Sequence, residues 1–83
     1  MSCYDSPEAI AHRGRDYAAA IDRCHGRYEA ADLYADGLQT YGPDGVDWRQ
    51  VNGAILRKWT PSGLEWIKRR AWRIARATGG DDA

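Results

Sequence analysis

Apolar residues recur along this chain at alternating steps of four and three, the period of a helix with one buried face. The first such run is Ile10, Gly14, Tyr17, Ile21 and Cys24. Ser6-Pro7-Glu8 stands ahead of it. This places a hydroxyl to accept an orphan N–H, a proline with no N–H to waste, and a carboxylate at the positive helix end. A helix over about 7–25 is expected, with Gly26 as its C-terminal stop and His25 held at its end by the helix dipole. The same spacing continues through Tyr28, Ala31, Ala35 and Leu38, so residues 27–41 form a second helix or the first one runs on. Gly14, Gly26 and Gly37 would each cost a continuous helix about 1 kcal/mol relative to Ala, which favours a break. The continuous alternative would carry a heptad-like stripe suited to a homodimer.

Tyr41-Gly42-Pro43-Asp44-Gly45 is the strongest punctuation in the chain, and Gly, Pro and Asp each suit a turn for a different reason. Beyond it, Asp47 and Gln50 have the spacing of a capping box. They open a helix over about 48–58 that buries Trp48, Val51, Ile55 and Trp59. Thr60-Pro61 repeats the cap-plus-proline device and starts a last helix over about 61–77, which ends near Gly79-Gly80. No period-two alternation is long enough for a strand, and no internal repeat is present. The expected fold is all-α: a compact bundle of three to four short helices, in one domain over residues 1–83. Loose tails are expected at about 1–5 and 79–83, and a break at 41–46.

That break also divides the charge. Residues 1–47 hold nine acids and four Arg, a net of −5, and residues 48–83 hold eight bases and three acids, a net of +5. The whole chain is neutral, which argues against general stickiness while suggesting one acidic and one basic face. The last helix carries most of the basic half. Leu64, Ile67, Ala71, Ile74 and Ala75 share its core arc. Arg69, Arg73 and Arg76 cluster opposite, flanked by Trp66 and Arg70, with Trp72 and Lys68 at the other border. Arg forks grip carboxylates and phosphates in bidentate fashion and stack on rings, so this face is a candidate site for an acidic protein patch or for nucleic acid. The competing reading is a solvated face whose arginines pair with the acidic half. Asp16, Asp22, Glu29, Asp32 and Asp36 form a candidate secondary acidic face. Tyr28, Tyr34 and Tyr41 are either core residues or an exposed aromatic strip on the second helix. Trp48 to Ala77, helix–short turn–helix, has the outline of a DNA-reading pair, but the start of its second helix offers only Ser62 to base edges.

Composition narrows the chemistry further. Phe is absent and is replaced by four Trp and five Tyr, whose amphipathic rings suit shallow cores and partly exposed faces. Cys3, His12, Cys24 and His25 are the only soft metal ligands, and C-x8-H-x11-C-H lacks the short pairs that chelate zinc. Cys24 reads as a small core residue. No nucleotide loop, dinucleotide fingerprint or zincin motif is present, and no group orients a Cys–His nucleophile. A non-enzymatic protein without metal or cofactor is expected. The chain opens without a charged segment followed by an apolar core, so no signal peptide is expected. No apolar run nears a membrane span, and the cytoplasm of a bacterial host, with reduced thiols, is the expected compartment.

The segment W-x3-N-x2-I-x3-W-T-x3-L-x2-I-K-x2-A-W joins Trp48, Asn52, Ile55, Trp59, Thr60, Leu64, Ile67, Lys68, Ala71 and Trp72. It resembles strings found in short phage and prophage proteins. With its small size and lack of catalytic motifs, the chain looks like phage anti-defence inhibitors of the anti-CRISPR type. The likeness covers residues 48–72 and carries over no functional residue. It implies a protein partner, namely a nucleic-acid-handling defence complex that the inhibitor blocks by occupying one of its surfaces.

Overall fold

A computed structural model describes residues 6–79, which form four helices. These are α1 (Pro7–Asp22), α2 (Arg27–Tyr41), α3 (Trp48–Lys58) and α4 (Pro61–Gly79). The all-α bundle of short helices expected from the sequence is what the chain forms, and no strand occurs among the described residues. Of the tails expected at about 1–5 and 79–83, Gly79 is the last residue of α4, and residues 1–5 and 80–83 lie outside the described residues. The body measures 35 × 33 × 18 Å. Its short dimension is about two helix layers, so the molecule is flat.

Local signals account for most boundaries. Ser6 Oγ accepts the Ala9 N–H at 3.2 Å and opens α1. Thr60 Oγ1 accepts the Gly63 N–H at 3.2 Å and opens α4 in the same way. Gly42, at φ 82°, occupies the left-handed region that a side chain disfavours, and there α2 stops. Three boundary expectations need correction. Helix α1 ends at Asp22, not near 25, because the Arg23 and Cys24 N–H groups turn back to the Ala20 and Ile21 carbonyls in tighter i→i+3 bonds. Gly26 does not stop α1 but caps α2 in an extended conformation, and His25 lies in the turn, its N–H donating to Glu29 Oε1 at 3.1 Å. The capping box at Asp47 does not form. Gln50 instead spends its amide N–H groups on Asp47 Oδ2 and on the Ala11 carbonyl, both at 3.1 Å.

Helix pairing skips neighbours in sequence: α1 packs chiefly on α3, and α2 on α4. The start of α3 meets the first half of α1. The Asp47 N–H donates to the Ile10 carbonyl at 3.1 Å, and Gly14 is packed so closely that a Cβ there would lie 2.6 Å from the Asp47 carbonyl oxygen. The end of α3 meets the end of α1. Lys58 Nζ donates to the carbonyls of Ile21, Asp22 and Cys24 at 3.2, 2.9 and 2.5 Å, and Arg57 reaches the Asp22 carboxylate at 3.4 Å. The two helices therefore run side by side in the same direction. Parallel packing sets two negative helix ends together, and these two cations offset them.

The core is built from Ile21, Val51, Ile55 and Ile67, all fully buried, with Ala30, Ala31, Ala54 and Ala71 fully buried beside them. Small side chains at these positions let the helices approach closely. Trp48 bridges three helices. Its ring stacks on Tyr34 at 4.3 Å and lies 6.2 Å from the Tyr17 ring. Its edge lies so close to Gly37 that a Cβ there would sit 2.7 Å from the indole. The tyrosines of α2 thus separate. Tyr34 is core at 4% exposure and donates to Asn52 Oδ1 at 2.8 Å. Tyr28, expected on the buried stripe, is 57% exposed, and Tyr41 is 41% exposed. No continuous aromatic strip forms.

Candidate functional site

Helix α4 places the predicted residues on one side at steps of three and four: Trp66, Arg69, Arg73 and Arg76, with Arg70 beside them. The structure divides the five into two groups. Arg69, Arg73 and Arg76 are exposed. Among the described residues, no carboxylate lies within ion-pair range of any of these three. Trp66 and Arg70 are half-buried and turn toward α2. The Trp66 ring meets Tyr28 edge-on at 5.0 Å and is covered by the Arg27 guanidinium at 4.4 Å. Arg70 lies 4.9 Å over the Tyr28 ring. Its Nε is shielded from solvent without a hydrogen-bond partner among the described residues, so ring contacts hold its charge there. These two residues lock α4 to the start of α2 and set the azimuth at which the three arginines project. Trp72, at 38% exposure, lies at the border of that face.

The pairing of the basic half with the acidic half is therefore real but local. Arg57 to Asp22 joins the halves, whereas the α4 arginines stay out of it. The candidate acidic face is broken up. Asp16 lies 3.3 Å from His12, Asp22 holds Arg57, Glu29 accepts the His25 N–H, and Asp36 accepts the Tyr17 hydroxyl at 2.6 Å. Burial, reinforced by that carboxylate, pushes the Tyr17 phenol far above its ordinary value. Four of the five carboxylates thus have local partners; Asp32 is exposed.

The helix–turn–helix outline is present as α3, a short turn at residues 59–60 and α4, but each of the two helices packs mainly on a helix of the acidic half. Cys24 is a buried free thiol whose pKa burial raises. Among the described residues no three His, Cys, Asp or Glu side chains gather where a metal ion would bind, and no helix is long and apolar enough to cross a membrane.

Sequence reasoning missed a cleft of about 610 Å³ at the amino end of α4. Leu56 and Trp59 give it an apolar wall, Arg27, Arg57 and Lys58 bring positive charge, and Thr60 and Ser62 add hydroxyls. All of its lining but Arg27 comes from the contiguous stretch 56–66, the end of α3, the turn and the start of α4, and only the docking of α2 brings Arg27 to it. The only local trace was the run Leu56-Arg57-Lys58-Trp59, apolar ends around two cations. The chain matches no protein-family model, and neither the curated proteins nor the solved structures include one significantly similar to it.

Proposed function

We propose that this protein is a non-enzymatic binding module that docks the outer face of α4 on an acidic surface of a protein partner. One observation carries the reading: Arg69, Arg73 and Arg76 project to solvent with no carboxylate in range among the described residues. Long flexible cations that project to solvent can meet a partner in trans, and Arg is the cation that pairs best with carboxylates in a planar, bidentate geometry. Trp66 and Arg70 fix the helix behind them, which limits the entropy lost on docking. In the setting implied by the resemblance to phage inhibitors, the partner is a bacterial nucleic-acid-handling defence complex, and the module is a stoichiometric blocker of one of its surfaces.

Nucleic acid is the rival occupant of the same arginines. It is disfavoured by the sequence pI of about 6.7, since nucleic-acid-binding domains are usually strongly basic.

The test has two arms. Titration with labelled random single- and double-stranded DNA and RNA at about 50 mM salt is expected to show no binding. Co-purification from a bacterial lysate is expected to yield one partner in stoichiometric amount, lost when Arg69, Arg73 and Arg76 are all changed to Glu. A partner retained by that variant would refute the docking face. Micromolar binding to DNA or RNA with a steep salt slope would assign the arginines to phosphates instead.

A further inference from the structure

On α4 the cleft adjoins the arginine face along the helix. Ser62 and Trp66, which line the cleft, are followed by Arg69, Arg73 and Arg76 at steps of four, three, four and three. All five therefore lie along a single side of the helix. From Ser62 to Arg76 this side is about 21 Å long, the span of about six or seven extended residues.

The cleft end differs in character from the arginine end. Leu56 is 45% exposed and Trp59 half-buried, an apolar wall that water covers poorly. Among the described residues no carboxylate lines the cleft. Of its cations, Lys58 is committed to the carbonyl end of α1. Arg27 rests on the Trp66 ring, and Arg57 holds Asp22 only at 3.4 Å on the open surface, an arrangement cheap to exchange.

Resting on the protein-docking reading above, we infer that the partner segment is an extended acidic peptide whose apolar or aromatic anchor residue enters the Leu56–Trp59 cleft. Its carboxylates lie along Arg69, Arg73 and Arg76. The anchor supplies buried apolar area and fixes register, while the carboxylates supply charge pairing along an open face. A single nucleic-acid strand fits the same track less well. Strand binding relies on a series of open ring faces, and here one face of Trp66 is already covered by Arg27 and the ring is packed at right angles on Tyr28.

Fluorescence anisotropy tests the assignment with three labelled probes at about 50 mM salt. The first is a peptide of one phenylalanine followed by alternating Glu and Asp over about six residues. The second replaces the phenylalanine by serine. The third is oligothymidylate of the same charge. The first probe is expected to bind at least about tenfold tighter than the other two. Leu56→Glu, an exposed substitution checked by circular dichroism, is expected to bring the first probe down to the level of the second. Changing Arg69, Arg73 and Arg76 together to Glu is expected to abolish binding of both peptides. If both peptides bind equally, or if Leu56→Glu leaves the preference intact, the cleft assignment is overturned while the arginine face stands. If neither peptide binds, or the triple variant binds both unchanged, the docking face falls with it. Oligothymidylate binding tighter than either peptide overturns the assignment in favour of nucleic acid.

Discussion

The ammonium of Lys58, at the last turn of α3, donates to the main-chain carbonyl of Asp22, at the last turn of α1, at 2.9 Å. With its bonds to Ile21 and Cys24 it caps three carbonyls at and just beyond the end of α1, of which that of Ile21 also accepts the Cys24 N–H. It also neutralises the junction of two parallel helix ends. Lys58→Met keeps the aliphatic stem but removes both effects. A loss of about 1–3 kcal/mol in unfolding free energy is expected from urea titration. Lys58→Arg is expected to recover part of it. A Lys58→Met protein as stable as the original would mean that water caps α1 equally well.

Two glycines in helices should respond with opposite signs. At Gly37 a Cβ would lie 2.7 Å from the Trp48 indole and 3.3 Å from Tyr17. Gly37→Ala is therefore expected to cost about 1–3 kcal/mol through overpacking. At Gly53, within α3, nothing lies within 4 Å of a Cβ. Gly53→Ala is expected to gain about 0.5–1 kcal/mol from the reduced entropy of the unfolded chain. Denaturant midpoints of the two variants on either side of the wild-type value would bear this out.

Trp66 and Trp72 lie on the same helix but should differ in what their loss does. Trp66 packs on Tyr28, Arg27 and Arg70. Trp66→Ala is expected to cost about 2–4 kcal/mol and to weaken partner docking indirectly by freeing α4. Trp72, more exposed, is expected to cost less than about 1 kcal/mol as Trp72→Ala. Equal losses in thermal or urea unfolding would contradict this division.

Two tyrosines make stability sensitive to alkali. Burial pushes Tyr34 up to about 12 from an ordinary value of 10.0, and Tyr17 moves in the same direction for the causes given above. In each case the folded-state value exceeds the unfolded one, so the contribution is complete below pH 10 and is lost as pH rises through the folded-state value. For Tyr34 that window runs from about pH 10 to about pH 12 and amounts to about 2–3 kcal/mol. Urea midpoints measured across it should fall, and should fall less steeply in Tyr34→Phe. A slope identical in that variant would show that Tyr34 titrates alike in both states.

Much of the architecture could be read from short stretches of chain. The bounds of α2 and α3 follow from Gly26, the 42–47 turn and the Thr60-Pro61 cap, because caps and breakers act over one helical turn. Ile21, Val51, Ile55, Ile67 and Ala71 were legible as core because a one-sided period of 3.6 needs only the helix itself. The exposed arginines of α4 were legible for the same reason, as the complement of the core arc.

What the period leaves open is the partner that each helix meets. Tyr28 and Tyr34 are both apolar enough to be buried, and only the docking of α4 and Trp48 on α2 decided that Tyr34 goes in and Tyr28 stays out. The parallel pairing of α1 with α3 depends on Gly14 meeting Asp47 and on Lys58 meeting Asp22. These contacts join residues more than thirty positions apart, and their fit is written in no local pattern. The turning of Arg70 and Trp66 toward α2, and the arrival of Arg27 at the cleft beside Leu56 and Trp59, likewise depend on the docking of α4 on α2. Short-range hydrogen bonding and periodicity determined the helices, the charge of their faces and the open arginine side of α4; long-range packing decided which helices pair and which residues at the borders of the buried faces go in.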